Sequence, residues 1–352
     1  MNLFEPKVAS EKLHKNFVSI MNLSKESDRN ELLRWCDGFP DRDNKFVKEF
    51  QTTFNSSFWE IYLYALFKEL DLRMDWSHPS PDFLFEFNKK DIVVEATIAA
   101  AASGKTPEWE KDFEKGTPTR FKQMNMESII RLANSISYKY NKYKRSYSQL
   151  SHVKNKPFIL AVAPFEQPYF NLQCEVPIMA LLYDFYVDED AYRDSPHLYP
   201  NGPPDLALGC VEKDNGAEIE LGLFEDNSHS EISAVMLSTT ATWGKVEAMA
   251  NEAELRFVNT VWLSEDELKP IYRSSITDKD KETIVDGLYV FHNPFAKIPV
   301  DGELFRKKGV TQVFVDPQTK RITKERNGLC LLHRQTMNIL KCANKALKAD
   351  SQ

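Results

Sequence analysis

The stretch PDFLFEFNKKDIVVEATIAAAASGKT, residues 81–106, decides how this chain folds and holds two patterns that cannot both be functional. Read from the left, "DFLFEF" (82–87) is a short strand enriched in aromatics. "NKK" (88–90) is a tight connection, and "DIVVEATIA" (91–99) is β-branched and mostly apolar, as a buried strand requires. Glu95 places one carboxylate inside that apolar run. Read from the right, Ala99 to Thr106 spells A-x-x-x-x-G-K-T.

Upstream, "KFVKEFQTTFNSSFWEIYLYALFKEL" carries Phe46, Phe50, Phe54, Phe58 and Tyr62 at every fourth position, a helical stripe. Asn55, Ser56 and Ser57 are capable of capping a fresh helix, so the pattern fits one helix or two. "LDLRMDW" (70–76) alternates like a strand before "SHPSP" breaks it. Downstream, a helix is expected from near Asn125, with its apolar stripe on Met126, Ile129, Ile130, Ala133, Ile136, Tyr140, Tyr143 and Tyr147. "KPFILAVAPF" (156–165) follows as a central strand. The order is helix, three strands, helix, strand. Beyond it, 232–240 and 287–295 read as strands, 310–325 as a hairpin turning at Asp316–Thr319, and 329–347 as a closing helix.

The expected fold class is therefore α/β, a mixed central sheet flanked by helices. A helical extension (1–53) precedes a core (54–170), and a C-terminal α/β extension (171–352) follows, possibly continuous with the core. With 352 residues, 42% hydrophobic and 28% charged, the composition is that of a globular protein, not a disordered or fibrous one. No apolar run approaches a membrane span, and the N-terminus lacks the apolar segment of a signal peptide, so a cytoplasmic protein is expected. Five scattered cysteines read as reduced packing thiols, and the Cys330/His333 pair has no second pair to complete a zinc site.

Three carboxylates stand where burial would not put them: Glu60 within "FWEIYLYALF", Asp82 directly after Pro81, and Glu95. A buried, unpaired carboxylate is costly, so such groups pair or bind metal. If the strands at 82–87 and 91–98 are neighbours, Asp82 and Glu95 approach from adjacent backbones. Two carboxylates with a backbone carbonyl and waters make a hard oxygen site suited to Mg²⁺.

Pro81-Asp82, twelve residues, then Glu95-Ala96-Thr97 resembles the signature of the PD-(D/E)XK nuclease superfamily, and the element order resembles its αβββαβ core. The resemblance spans about residues 54–165. It implies a restriction-endonuclease-like fold and a Mg²⁺- or Mn²⁺-dependent phosphodiesterase. Asp82 and Glu95 would then be metal ligands, with the Ala96 carbonyl helping and Glu60 supporting. The family's usual lysine is replaced here by Thr97, which carries no charge to stabilise the transition state. Some members supply that lysine from the following helix. Lys139 is the candidate here, with Lys142 in reserve.

The formal charge of −7 argues against a nucleic-acid partner until its distribution is considered. Residues 128–165 contain Arg131, Lys139, Lys142, Lys144, Arg145, Lys154 and Lys156 and no acidic residue, which leaves −14 for the remainder. Arg131, Lys142, Lys144 and Arg145 are the expected contacts to a nucleic-acid backbone, DNA in preference to RNA. The C-terminal half would add substrate recognition or self-association into a homo-oligomer. Restriction, repair and defence against mobile DNA are all compatible roles. The main alternative is a catalytically inactive interaction module on the same fold. A phosphate-binding loop at 99–106 is the third reading. It has one glycine where such loops need several, and "IAAAAS" favours helix over turn.

Overall fold

The computed structural model describes residues 1–112, 114, 116–250, 256–264, 269–276 and 282–338. Four helices come first: α1 (Lys15–Ile20), α2 (Glu26–Trp35), α3 (Phe46–Thr52) and α4 (Phe54–Glu69). Strands β1 (Phe83–Phe87) and β2 (Lys90–Ile98), helix α5 (Lys122–Lys142) and β3 (Phe158–Ala163) follow. Next are α6 (Val176–Tyr183), β4 (Tyr186–Val187), α7 (Glu189–Asp194), β5 (Asp205–Leu206), β6 (Cys210–Glu212) and β7 (Glu218–Glu220). The chain continues through β8 (Ala234–Leu237), α8 (Trp243–Met249), β9 (Arg256–Leu263), β10 (Ile271–Ile276) and β11 (Leu288–His292). It ends with β12 (Val310–Val315), β13 (Ile322–Arg326) and β14 (Cys330–Asn338).

The expected mixed α/β architecture is present. A seven-stranded sheet runs β1-β2-β3-β8-β11-β12-β13, parallel through β2-β3-β8 and between β11 and β12, antiparallel elsewhere. Its two faces carry separate apolar layers. α4 and the N-terminal helices cover the face bearing Phe83, Val94 and Ala96, and α5 and α6 cover the face bearing Val93, Leu160 and Val162. The N-terminal extension packs into the same core as the sheet, from Leu3 onward. Strands β9, β10 and β14 form a second, antiparallel sheet in the order β10-β9-β14.

Local chemistry explains the elements around the carboxylates. The β1–β2 turn places Asn88 and Lys89 at φ 50° and 63°, the doubly left-handed turn that suits the twist of a two-residue hairpin. The stripe at 46–69 is two helices, broken at Thr53, and Asn55 accepts from Asn16 at 3.0 Å instead of capping. Nearly every side of α4 is buried, and the Trp59 indole N–H pins it to the Ala161 carbonyl at 3.0 Å.

Two expected elements differ. Residues 70–76 do not form a strand; Met74 alone bridges to Phe85. Asp71, at φ 59°, ends α4 in a left-handed cap, with Asp71 N–H to Lys68 O and Leu72 N–H to Phe67 O. That cap consumes the residues a full edge strand would need. The helix expected over 329–347 is a strand across Cys330–Asn338, and positions 339–347 lie outside the described residues. A register irregularity between Leu331 and His333 interrupts the alternation that would have marked a strand. The hairpin at 310–325 is present as β12 and β13.

Candidate functional site

In the β1–β2 register Phe83 faces Val94, so one step further Asp82 lies across from Glu95. Asp82 Oδ2 accepts the Ala96 N–H at 2.7 Å. In a strand, a residue's N–H and C=O leave on the same edge, so the Ala96 carbonyl also faces the Asp82 side.

Glu95 is completely buried and points toward α5, on the face shared with Val93. Its Oε1 accepts from Lys139 Nζ at 2.7 Å, Lys142 Nζ at 3.0 Å and the Tyr147 hydroxyl at 3.3 Å. Its Oε2 is buried and makes no hydrogen bond within the protein. Ser135, Lys139 and Lys142 form a polar stripe at i, i+4, i+7 beside the apolar stripe of α5, which aims all three at β2. Thr97 bonds to Ser135 at 2.9 Å, a neutral contact to the same helix. Both sequence-predicted lysines reach Glu95.

By its place on the apolar stripe of α5, Tyr147 is expected to be a packing residue. A π-helical turn over Tyr143–Tyr147 ends α5, closed by Ser148 N–H to Tyr143 O at 2.9 Å. The widened turn brings the Tyr147 ring beside Lys142, 4.8 Å from its amine, and its hydroxyl to Glu95. Such turns recur at functional sites.

Glu60 and Asp82 are half-buried. Burial, and then the charge of Asp82, push the Glu60 carboxyl up to about 8. Burial, and then Glu95, push Asp82 up to about 6, with Lys139 and the Ala96 N–H pulling the other way. Glu60 stands on α4 and Glu95 on the opposite face toward α5, with Asp82 at the strand end between them. Burial would lower the Lys142 amine, but the Tyr147 hydroxyl and Glu95 outweigh it and hold it above its ordinary value. Burial also raises Tyr147, to about 12.

Among the described residues no group of three His, Cys, Asp or Glu side chains is gathered to hold a metal ion. In the strand register Asp82 and Glu95 stand opposite each other, and the Ala96 carbonyl faces the Asp82 side. Their oxygens are hard donors, and Glu95 Oε2 has its lone pairs free, so the chemistry of the set fits Mg²⁺ completed by water.

Of the expected backbone contacts, Lys144 and Arg145 are exposed at the end of α5 and Arg131 is half-buried within it. Lys144 lies 4.1 Å from the centre of the Tyr140 ring. Lys142 is drawn into the site. Near Asp82, His78 stacks on His152 with ring centres 3.7 Å apart, and His152 bonds to the Ser80 carbonyl. His78 thus belongs to the loop that presents Asp82. At the right end of the opening stretch, residues 99–107 leave β2 without entering an α-helix, and Lys105 pairs with Glu127 and Asp214. Cys330 and His333 bond to different partners, Tyr289 and the Asn171 carbonyl. Among the described residues no helix is long and apolar enough to cross a membrane. No protein-family model, curated protein or solved structure matches the chain.

Proposed function

We propose that the chain is a metal-dependent nuclease of the PD-(D/E)XK type, hydrolysing phosphodiester bonds of DNA with Mg²⁺, or Mn²⁺ in its place. The observation that carries this reading is Lys139. It delivers an ammonium to Glu95 from α5 in the place where β2 itself offers only Thr97.

Asp82, Glu95 and the Ala96 carbonyl would hold the ion, with Glu60 behind Asp82. When bound, the ion supplies Lewis acidity, favouring ionisation of water and stabilising charge on the phosphoryl oxygens. Lys139 would orient the attacking water and offset negative charge in the transition state. Lys142, bonded to Glu95 and Tyr147, would hold the Glu95 carboxylate in place. With all three carboxylates ionised, two ammonium groups leave one negative charge in excess, the balance a cation site needs. Lys144, Arg145 and Arg131 would meet the DNA backbone as sequence-independent phosphate contacts.

A second reading has a specific observation behind it. Glu95 is already matched by two lysines, an arrangement that also serves as a buried structural ion cluster in a non-catalytic nucleic-acid-binding module. Incubation of purified protein with Mg²⁺ or Mn²⁺ and a mixture of DNA and RNA substrates separates the two. The nuclease reading expects metal-dependent cleavage. Binding without cleavage under either metal supports the module.

A further inference from the structure

Four tyrosines lie on α5 and the π turn that ends it, and three of them are spent on packing. Tyr140, Tyr143 and Tyr147 are buried against the sheet. Tyr138 stands off the apolar stripe and is 69% exposed. A single exposed aromatic is ordinary on a protein surface, so its meaning depends on what stands beside it.

Helical spacing puts Arg131, Asn134 and Lys142 on one line with Tyr138, at i−7, i−4 and i+4. Lys142 joins that line to the carboxylates, because its amine is 3.0 Å from Glu95 Oε1 while its side chain remains 40% exposed. Lys139 bonds to the same oxygen with only 16% of its side chain exposed. Of the two lysines on Glu95, Lys142 is thus the one that connects it to the surface. Side-chain roots at i and i+4 are about 5–6 Å apart, which puts the Tyr138 ring one helical turn from that connection.

The charge around the ring suits a polyanion. Lys213, just after β6, bonds to Asn134 at 3.3 Å and adds a cation beside the line. Glu127 and Asp214, the acids toward the start of the helix, are bridged by Lys105. From Ser128 through the π turn the sequence has no acidic residue. A flat ring flanked by cations is the combination that holds unpaired nucleotides, the ring by stacking and the cations through phosphates. In a duplex, neighbouring pairs cover the faces of each base and only its edges reach the grooves. The ring therefore has a stacking partner only where a base is unpaired or turned out of the helix.

We propose that Tyr138 stacks on an unpaired DNA base next to the phosphate presented to the carboxylates, so that the protein prefers DNA with unpaired nucleotides at the cut. The inference rests on the DNA-cleaving reading of that site. Fluorescence anisotropy of the full chain, in chelator so that nothing is cut, tests it with a labelled single-stranded DNA oligonucleotide and its blunt duplex. Tyr138→Ala, at an exposed helix position where alanine is well tolerated, should weaken single-strand binding about tenfold and leave duplex binding unchanged. Tyr138→Phe keeps the ring and should bind single strands as the parent does. Unchanged single-strand affinity in Tyr138→Ala overturns the proposal. So does an equal loss on both DNA forms, a loss in Tyr138→Phe as large as in Tyr138→Ala, or a parent that binds neither form. Plasmid cleavage by the parent in Mg²⁺ decides separately whether the nuclease reading falls with it.

Discussion

The Lys139 amine lies 2.7 Å from Glu95 Oε1, joining the last turns of α5 to the middle of a buried strand. The strand's own neighbour two residues on, Thr97, is tied to the same helix through Ser135. Helix and strand are thereby locked in a register that puts positive charge beside the only fully buried carboxylate of the site.

Lys139→Met should lower single-turnover cleavage by about 10²–10⁴-fold while DNA affinity changes little, because the charge acts on the reacting group and not on binding. Lys142→Met should cost less turnover. Its loss should appear as lower thermal stability, since Glu95 then keeps one ammonium instead of two. Equal effects of both variants on turnover would remove the distinction drawn between them.

Glu60 should make the fold pH-sensitive. Its folded carboxyl is raised from an ordinary 4.5 to about 8, so the folded state holds its proton more tightly than the unfolded chain. The contribution is fully present below about 4.5 and is lost as pH rises through about 8. Glu60→Gln should therefore match the parent in acid and melt higher than it near pH 9, by roughly 2–4 °C for each kcal/mol relieved. Mg²⁺ should narrow that gap by favouring the ionised carboxylates. Identical pH profiles for the two proteins would show that Glu60 carries no such burden.

Lys144→Ala and Arg145→Ala should each weaken DNA binding uniformly across sequences and reduce the slope of log affinity against log salt by about 1, leaving the cleavage step of bound DNA unchanged. An unaltered slope in both would place the phosphate contacts elsewhere.

Much of this arrangement is legible in the sequence because it depends on side-chain pattern. The β-branched run around Glu95 declares β2, and the lysines flanking the apolar stripe of α5 declare their direction. What escaped depends on backbone detail that residue type does not encode. The left-handed cap at Asp71 shortens the edge strand to a single bridge at Met74. The π turn moves Tyr147 out of helical register and onto Glu95. The irregularity at Leu331/His333 disguises β14 as a helix.

The most direct measurement is the conversion of supercoiled plasmid by the parent, Asp82→Ala and Glu95→Gln proteins, each verified as folded, in Mg²⁺ and in chelator at about pH 8. That pH ionises Asp82, whose folded value is about 6. The parent should nick or linearise the plasmid in Mg²⁺ alone, and both variants should lose at least about 10²-fold. Cleavage by the variants at the parent's rate, or no cleavage by the parent in Mg²⁺ or Mn²⁺, would contradict it.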